Sequence, residues 1–414
     1  MEMNKNRLVF SLSIIGILYF IFGFITWLNS VLIPFLKLAC ELNDSQAYLV
    51  TFAFYISYFV MAIPSSGILK KTGFAKGMAL GLGVMALGSL VFIPAAYSRD
   101  YMIFLVGLFL QGTGLALLQT AANPYVTILG PIESAAKRMS IMGLFNKLAG
   151  VIGIFWLSKA LFTDINAINT GLELLTGHDR AMALNELAKR LITPYIIISI
   201  ALILLAIMIM LAKLPKVESE EVKGREKRSI FSYTYLWLGV IALFFYVGAE
   251  VIAIDTLGLY GQSQGLASDI SSRLGSYSLI AMTVGYLLGI AFVPKRISQS
   301  QALLISALLG IAFTVLALMT SGITSIVFII LLSFAHALIW PGIWPLAIDK
   351  LGSYTAFASA LLIMAIAGGA IMPLIYGWFA DLVGSRQTPY LILIPAYLII
   401  LYYAISGHKL GKDK

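Results

Sequence analysis

Long apolar runs separated by short polar breaks account for nearly the whole chain. Twelve runs reach the length of about 20 residues that a helix needs to cross a hydrocarbon core. They fall at roughly 9–37, 46–69, 77–97, 101–129, 139–163, 191–213, 234–260, 274–293, 302–320, 323–349, 355–382 and 388–406. Several contain Gly or Pro, which membrane helices tolerate when neighbours satisfy the freed backbone groups. A single long charged interruption, KLPKVESEEVKGREKRS at 213–229, divides the runs six and six. The pattern predicts an all-α membrane protein of twelve transmembrane helices. An N-terminal six-helix lobe is expected at 1–212, a linker at 213–231 and a C-terminal six-helix lobe at 232–414. A weak repeat supports the division: PSSGILKKTGFAK (Pro64 to Lys76) follows the second run and VPKRIS (Val293 to Ser298) the eighth. Two parallel repeats place a binding site between them near the membrane midplane.

Composition narrows the class. At 60% hydrophobic and 11% charged, with mean hydropathy +0.94, the chain is no water-soluble domain. The net charge of +9 reads as topology, not as nucleic-acid binding. Of the 28 Lys and Arg, 19 fall on the side of the N-terminus and linker, 8 on the other and Lys147 inside a run, which predicts both termini in the cytoplasm. The N-terminal run lacks a cleavage pattern and is expected to be an uncleaved first span. One cysteine, Cys40, excludes a disulfide framework within the chain, and three scattered histidines (His178, His336, His408) make a metal cluster improbable. With no P-loop and no HExxH string, neither an ATP-driven pump nor a zinc hydrolase is expected.

Polar residues inside the apolar runs carry the functional information, because each is costly in hydrocarbon. The stretch QGTGLALLQTAANPYVTILGP (Gln111 to Pro131) holds Gln119 and Asn123 four apart, on one helical face. That face serves either as glue between helices or as a polar binding surface. Lys147 lies in the fifth run at nearly the same depth, and Glu250 and Asp255 lie in the seventh. Pairing of Lys147 with one or both carboxylates is expected, either as a fixed bridge between lobes or as an energetic switch. Sugars are recognised by amides and carboxylates that fork onto hydroxyls and by aromatic faces. Candidates are Asn29, Gln119, Asn123, Asn146, Glu250 and His336, with Trp340 and Trp344 four apart beside Pro341 and Pro345. The aromatic row suits packing as well as a sugar platform.

LLQTAANPYVTILGP, FYVGAE (Phe245 to Glu250), HALIWPGIWPLAI (His336 to Ile348) and AGGAIMPLIYGWFAD (Ala367 to Asp381) are specific in combination. Together they resemble the fucose–galactose–glucose symporter branch of the major facilitator superfamily, over nearly the whole chain. The resemblance implies a two-lobe transporter of the bacterial inner membrane taking up a monosaccharide by alternating access. Glucose, galactose or N-acetylglucosamine would be the substrate, with a proton or sodium as coupling ion, no other cofactor, and a monomer in the bilayer. Where the fucose permease carries acidic residues in its first and fourth helices, this chain has Ser30 and Gln119. That departure disfavours fucose and its proton relay. An uncoupled carrier or a sugar sensor on the same scaffold are the alternatives.

Overall fold

The computed structural model describes residues 5–128, 135–212, 229–293, 296–351 and 354–411. The linker expected at 213–231 is described only from Ser229 onward, and the side chain of Asn123 lies outside the described residues. Among the described residues, twelve helical segments are long and apolar enough to cross a membrane. The first six are Ser13–Ala39, Asp44–Leu69, Phe74–Ser98, Tyr101–Ala122, Ile141–Leu174 and Gly177–Leu211. The second six are Thr234–Asp255, Ser268–Phe292, Gln299–Met319, Gly322–Ile348, Phe357–Val383 and Thr388–Ile405. They form two six-helix lobes. Below, the linker face is the one that carries the chain between the lobes, and the far face is the opposite one.

Each helix spends its surface on two solvents. The sixth span buries Tyr195, Ile198, Leu202, Leu205 and Ile209 and exposes Ile196, Ile200, Ile203, Leu204 and Ile207. An exposed isoleucine stripe of this length suits lipid and not water. With lipid as apolar as the helices, close packing has to hold them together. The third and fourth spans meet backbone to backbone at Gly81, Gly88, Gly107 and Gly114, where a Cβ on Gly114 would stand 2.3 Å from the Gly81 carbonyl. Gln111 crosses the same interface to Ser89 at 2.8 Å. The first and fifth spans touch at Gly23, whose Cβ would fall 1.8 Å from the Asn146 carbonyl oxygen. The seventh and eleventh repeat this contact in the second lobe, at Gly368 against the Phe244 carbonyl, again at 1.8 Å.

The hydrophobic pattern does not register the interruptions in the first, seventh, tenth and eleventh spans. The first breaks between Lys5–Trp27 and Asn29–Ala39. Pro34 gives no N–H to the Ser30 carbonyl four residues back, so the preceding turn is free to reset. The tenth breaks between Gly322–His336 and Ile339–Ile348, and the carbonyl that Pro341 fails to serve is that of Ala337, at the break itself. Pro345 likewise withdraws a donor from the Pro341 carbonyl, and the Gln299 side-chain amide donates to it instead. The seventh span, expected as one run at 234–260, is Thr234–Asp255 followed by Leu257–Ser263. No proline is involved there. The Thr256 hydroxyl bonds back to the Ile252 carbonyl at 2.7 Å, which bends helices. In the eleventh, a tighter turn at Ala365–Ala367 separates Thr355–Met364 from Gly368–Val383.

Two helix starts are built alike. Asn43 and Gln46 form a reciprocal capping box before the second span, and Ser298 and Gln301 one before the ninth. The helices Ile165–Leu174 and Gly177–Lys189 form the end of the fifth span and the start of the sixth.

A test of the packing follows. Gly23→Ala and Gly368→Ala should each lower stability by about 1–3 kcal/mol, the usual cost of overpacking. Gly67→Ala, with nothing within 4 Å of the added Cβ, should be neutral or gain about 0.5–1 kcal/mol of helix propensity. Thermal unfolding in detergent separates the two outcomes.

Candidate functional site

At the centre of the molecule a lysine is held between the lobes. Lys147 of the fifth span donates to Glu250 of the seventh, Nζ to Oε1 at 2.8 Å, with both residues 7% exposed. The ammonium also stands 4.3 Å from the centroid of the Trp27 ring, within cation–π range. Trp27 is oriented in turn by its Nε1–H, which donates to Asn146 Oδ1 at 3.2 Å. The close approach at Gly23 brings the first and fifth spans near enough for this triad. Tyr246, one turn before Glu250, lies beside the same carboxylate.

Of the two carboxylates expected near Lys147, the geometry selects Glu250. Asp255 is five residues further along the helix, which turns it away from Glu250's face. It is fully buried, and neither oxygen has a hydrogen-bond partner among the described residues.

The other candidates separate into two groups. Gln119, Asn146, Trp340 and Trp344 remain partly exposed within the molecule. Gln119 donates to the Tyr58 hydroxyl at 3.0 Å. Trp340 and Trp344 stack on each other at 5.3 Å and 23°, and Trp340 lies 6.4 Å from the Tyr246 ring. Asn29 and His336 are sealed. Asn29 is 1% exposed with Nδ2 lacking a partner among the described residues, and His336, fully buried, pairs through Nε2 with Tyr397 at 2.6 Å. His336 therefore faces the twelfth span behind Tyr246 in this conformation, away from the partly exposed groups. Gln111, from the same polar stretch as Gln119, is helix glue.

A second polar cluster joins the lobes at the far face, and sequence reasoning did not find it. Arg386 forks onto Asp44, Nε to Oδ2 at 2.6 Å and Nη2 to Oδ1 at 2.8 Å. Lys37 reaches the same carboxylate. Asp381 accepts from the backbone N–H groups of Asp44 and Ser45 at 3.0 and 2.7 Å, a favourable place for an anion at a helix start. Further contacts on this side are Ser158 to Ser272 at 2.5 Å, Asn166 to Asp269 at 2.9 Å, and Tyr48 edge-on to Tyr376 at 5.5 Å. The lobes are thus closed at the far face. Each of these charges sits at a span end, where sequence reads it as interfacial. Nothing in the sequence pairs one lobe's end with the other's.

Two helical bundles meeting at a charged midplane site, with a latch at one face, define a two-lobe membrane transporter. Residues 15–370 match the Major Facilitator Superfamily, and the chain belongs to that family, one of transporters and not of enzymes. A glucose/galactose transporter of Brucella abortus is 33% identical over 411 residues, covering 98% of this chain and 96% of that protein. The L-fucose-proton symporter of Escherichia coli is 29% identical over 398 residues, covering 94% and 90%. Its crystal structure in the outward conformation superposes with a TM-score of 0.74 at 27% identity, covering 96% of this chain and 98% of that one.

Two measurements probe the site. Lys147→Ala leaves Glu250 buried and unpaired and should cost about 3–5 kcal/mol of stability, most of it regained in Lys147→Ala/Glu250→Gln. Thermal unfolding of both variants in detergent checks this. Arg386→Ala removes two charge-assisted bonds from the latch, each worth about 1.5–3 kcal/mol. Alkylation of a cysteine at Ser272, which is 1% exposed, should then accelerate at least about tenfold, as about 1.4 kcal/mol would produce. A Cys40→Ser background removes the native thiol, which burial pushes up to about 11.

Proposed function

We propose that the protein is a secondary active transporter that takes up a monosaccharide by alternating access, coupled to protons. The observation that carries this reading is the Lys147–Glu250 pair, which joins two lobes that must part, close to partly exposed amides and stacked aromatic rings. An ammonium, a carboxylate, two amides and an indole stack match a ligand dense in hydroxyls with an apolar ring face. Gln119 and Asn146 fork onto hydroxyls, Asn123 extends the Gln119 face, and Trp340 or Trp344 stacks on the ring. Asn29 and His336 join the site when the lobes rearrange. The full-length likeness to a glucose/galactose transporter favours glucose, galactose or N-acetylglucosamine. Ser30 and Gln119, in place of the acidic residues described above, count against fucose.

The protein sits in a bacterial inner membrane as a monomer with both termini in the cytoplasm, so the far face is periplasmic. The lobes end near residue 212 and begin again near 232, with the basic linker at 213–231 in the cytoplasm. Closure at the periplasmic latch means that this is not an outward-open conformation.

Uptake of labelled glucose, galactose, N-acetylglucosamine and fucose into proteoliposomes tests the reading, with proton and sodium gradients imposed separately. Accumulation of at least one of the first three on a proton gradient is expected. No accumulation of any sugar overturns the reading, and accumulation on sodium alone overturns its coupling. Gln119→Ala should weaken sugar binding by at least about 1 kcal/mol, the order of one buried hydrogen bond. Sugar should change the intrinsic fluorescence, and Trp340→Phe or Trp344→Phe should abolish that change. Full signal in both variants would assign the pair to packing.

A further inference from the structure

The ion pair at midplane and the latch at the far face leave one buried charge unused. Asp255 is 0% exposed, and both its carboxyl oxygens lack hydrogen-bond partners among the described residues. Lys147 is engaged by Glu250, and Arg386 and Lys37 by Asp44. An ionised carboxylate that is 0% exposed, with no donor or counter-ion among the described residues, is far too costly to bury, and such a group takes up a proton instead. The side chain is therefore a neutral carboxylic acid in this conformation.

Its surroundings connect it to the far face. Two tyrosines of the second span, Tyr48 and Tyr55, lie within electrostatic range of Asp255, and their buried hydroxyls also lack hydrogen-bond partners among the described residues. The next residue, Thr256, bonds the Tyr390 hydroxyl at 2.7 Å. The Tyr390 ring meets Tyr376 edge-on at 5.1 Å, and Tyr376 meets Tyr48 at 5.5 Å and donates its hydroxyl to the Arg386 carbonyl. A column of polar groups thus runs from Asp255 to the latch. Tyr48, Tyr55 and Asp44 come from the first lobe, and Asp255, Tyr376, Tyr390 and Arg386 from the second. Opening of the latch would split this column along its length and open a path for water to Asp255.

Among the described residues, the contacts on the remaining sides at this depth are uncharged. The eighth span sets Ser278 against the Ala253 carbonyl at 3.5 Å, with Arg273 about 7.5 Å further out along that span. The first span sets Pro34 against Gly258. On its own helix, Glu250 is about 7.5 Å away by helical rise, and it is engaged by Lys147.

We propose that Asp255 is the proton-carrying group of the transport cycle. The proposal rests on the transport reading above. With the latch open, the carboxylate takes a proton from far-face water and becomes neutral. Closure seals the acid in the state described here. Loss of the proton to water on the linker side, past Glu250, restores the carboxylate and completes the transfer of one proton.

Asp255→Asn, which keeps the shape of a neutral acid but cannot release a proton, tests this in the full-length protein reconstituted into liposomes. Sugar counterflow should stay within about threefold of the unaltered protein, while accumulation driven by a pH gradient should fall at least about tenfold. Asp255→Glu should restore part of the accumulation with a shifted pH profile. Infrared difference spectra give a readout independent of sugar. The unaltered protein should show a carboxylic-acid C=O stretching band that is missing in Asp255→Asn. Accumulation by Asp255→Asn, loss of its counterflow at unchanged thermal stability, or absence of the band from the unaltered protein would each overturn the proposal. Failure of the unaltered protein to accumulate any sugar would instead overturn the transport reading, with the infrared result still deciding the state of Asp255.

Discussion

Lys147 is a cation held out of water between two bodies, and much of the architecture follows from keeping it neutralised. Desolvating an ammonium costs several kcal/mol, which only close and well-oriented partners repay. Glu250 supplies the counter-charge from the opposite lobe, and the Trp27 ring supplies a polarisable face at 4.3 Å. Both depend on backbone contacts that admit no side chain. Gly23 lets the first span lie directly on the fifth at Asn146, beside Lys147, and Gly368 does the same for the eleventh against the seventh at Phe244, about 1.7 turns before Glu250. Because the neutralising bond crosses the interface, separation of the lobes and exposure of charge are one event. A bridge within one lobe would have no such consequence.

The two ends of the interface are held by different physics. At the far face, Asp44 accepts from Arg386 and Lys37 where water reaches the rim, with the Arg386 side chain 24% exposed. Such a latch opens at moderate cost. At midplane the Lys147–Glu250 pair is nearly dry and far more costly to leave unpaired. Between them lie tyrosines, which pack as apolar bodies while keeping hydroxyls available. This gradient from wet to dry gives the interface a sequence of separable layers instead of a single seal.

The broken helices provide the polar groups at depth. Pro34, Pro341 and Pro345 each remove a backbone donor, and Gln299 replaces one of them with a side-chain amide. In the seventh span Thr256 plays the bending role without a proline, and Asp255 is the last residue before the bend. Interrupted helices in hydrocarbon are tolerated only where protein or a cavity covers them. Here the covering residues include Tyr390 and Ser278, so the interruption and the buried acid share one sheltered place.

The number of spans, their division six and six, and the residues worth watching were legible in the sequence, because hydrocarbon imposes a length and a penalty that each residue meets on its own. Twelve apolar runs can hardly be anything else, and Lys147, Glu250 and Asp255 stand out wherever the chain folds. The choice of Glu250 over Asp255 as the partner of Lys147 was not legible. It depends on which face of the seventh span meets the fifth, a matter of packing between segments a hundred residues apart. For the same reason Gln111 and Gln119, eight residues apart and alike in sequence, take different roles: one is buried against Ser89, the other stays partly exposed beside Tyr58. The latch of Asp44, Asp381 and Arg386 was invisible too, since a charge at a span end satisfies the local rule whether or not it has a partner across the interface. Local chemistry sets the cost of each polar group in the membrane, and only the tertiary fold decides which other group meets it.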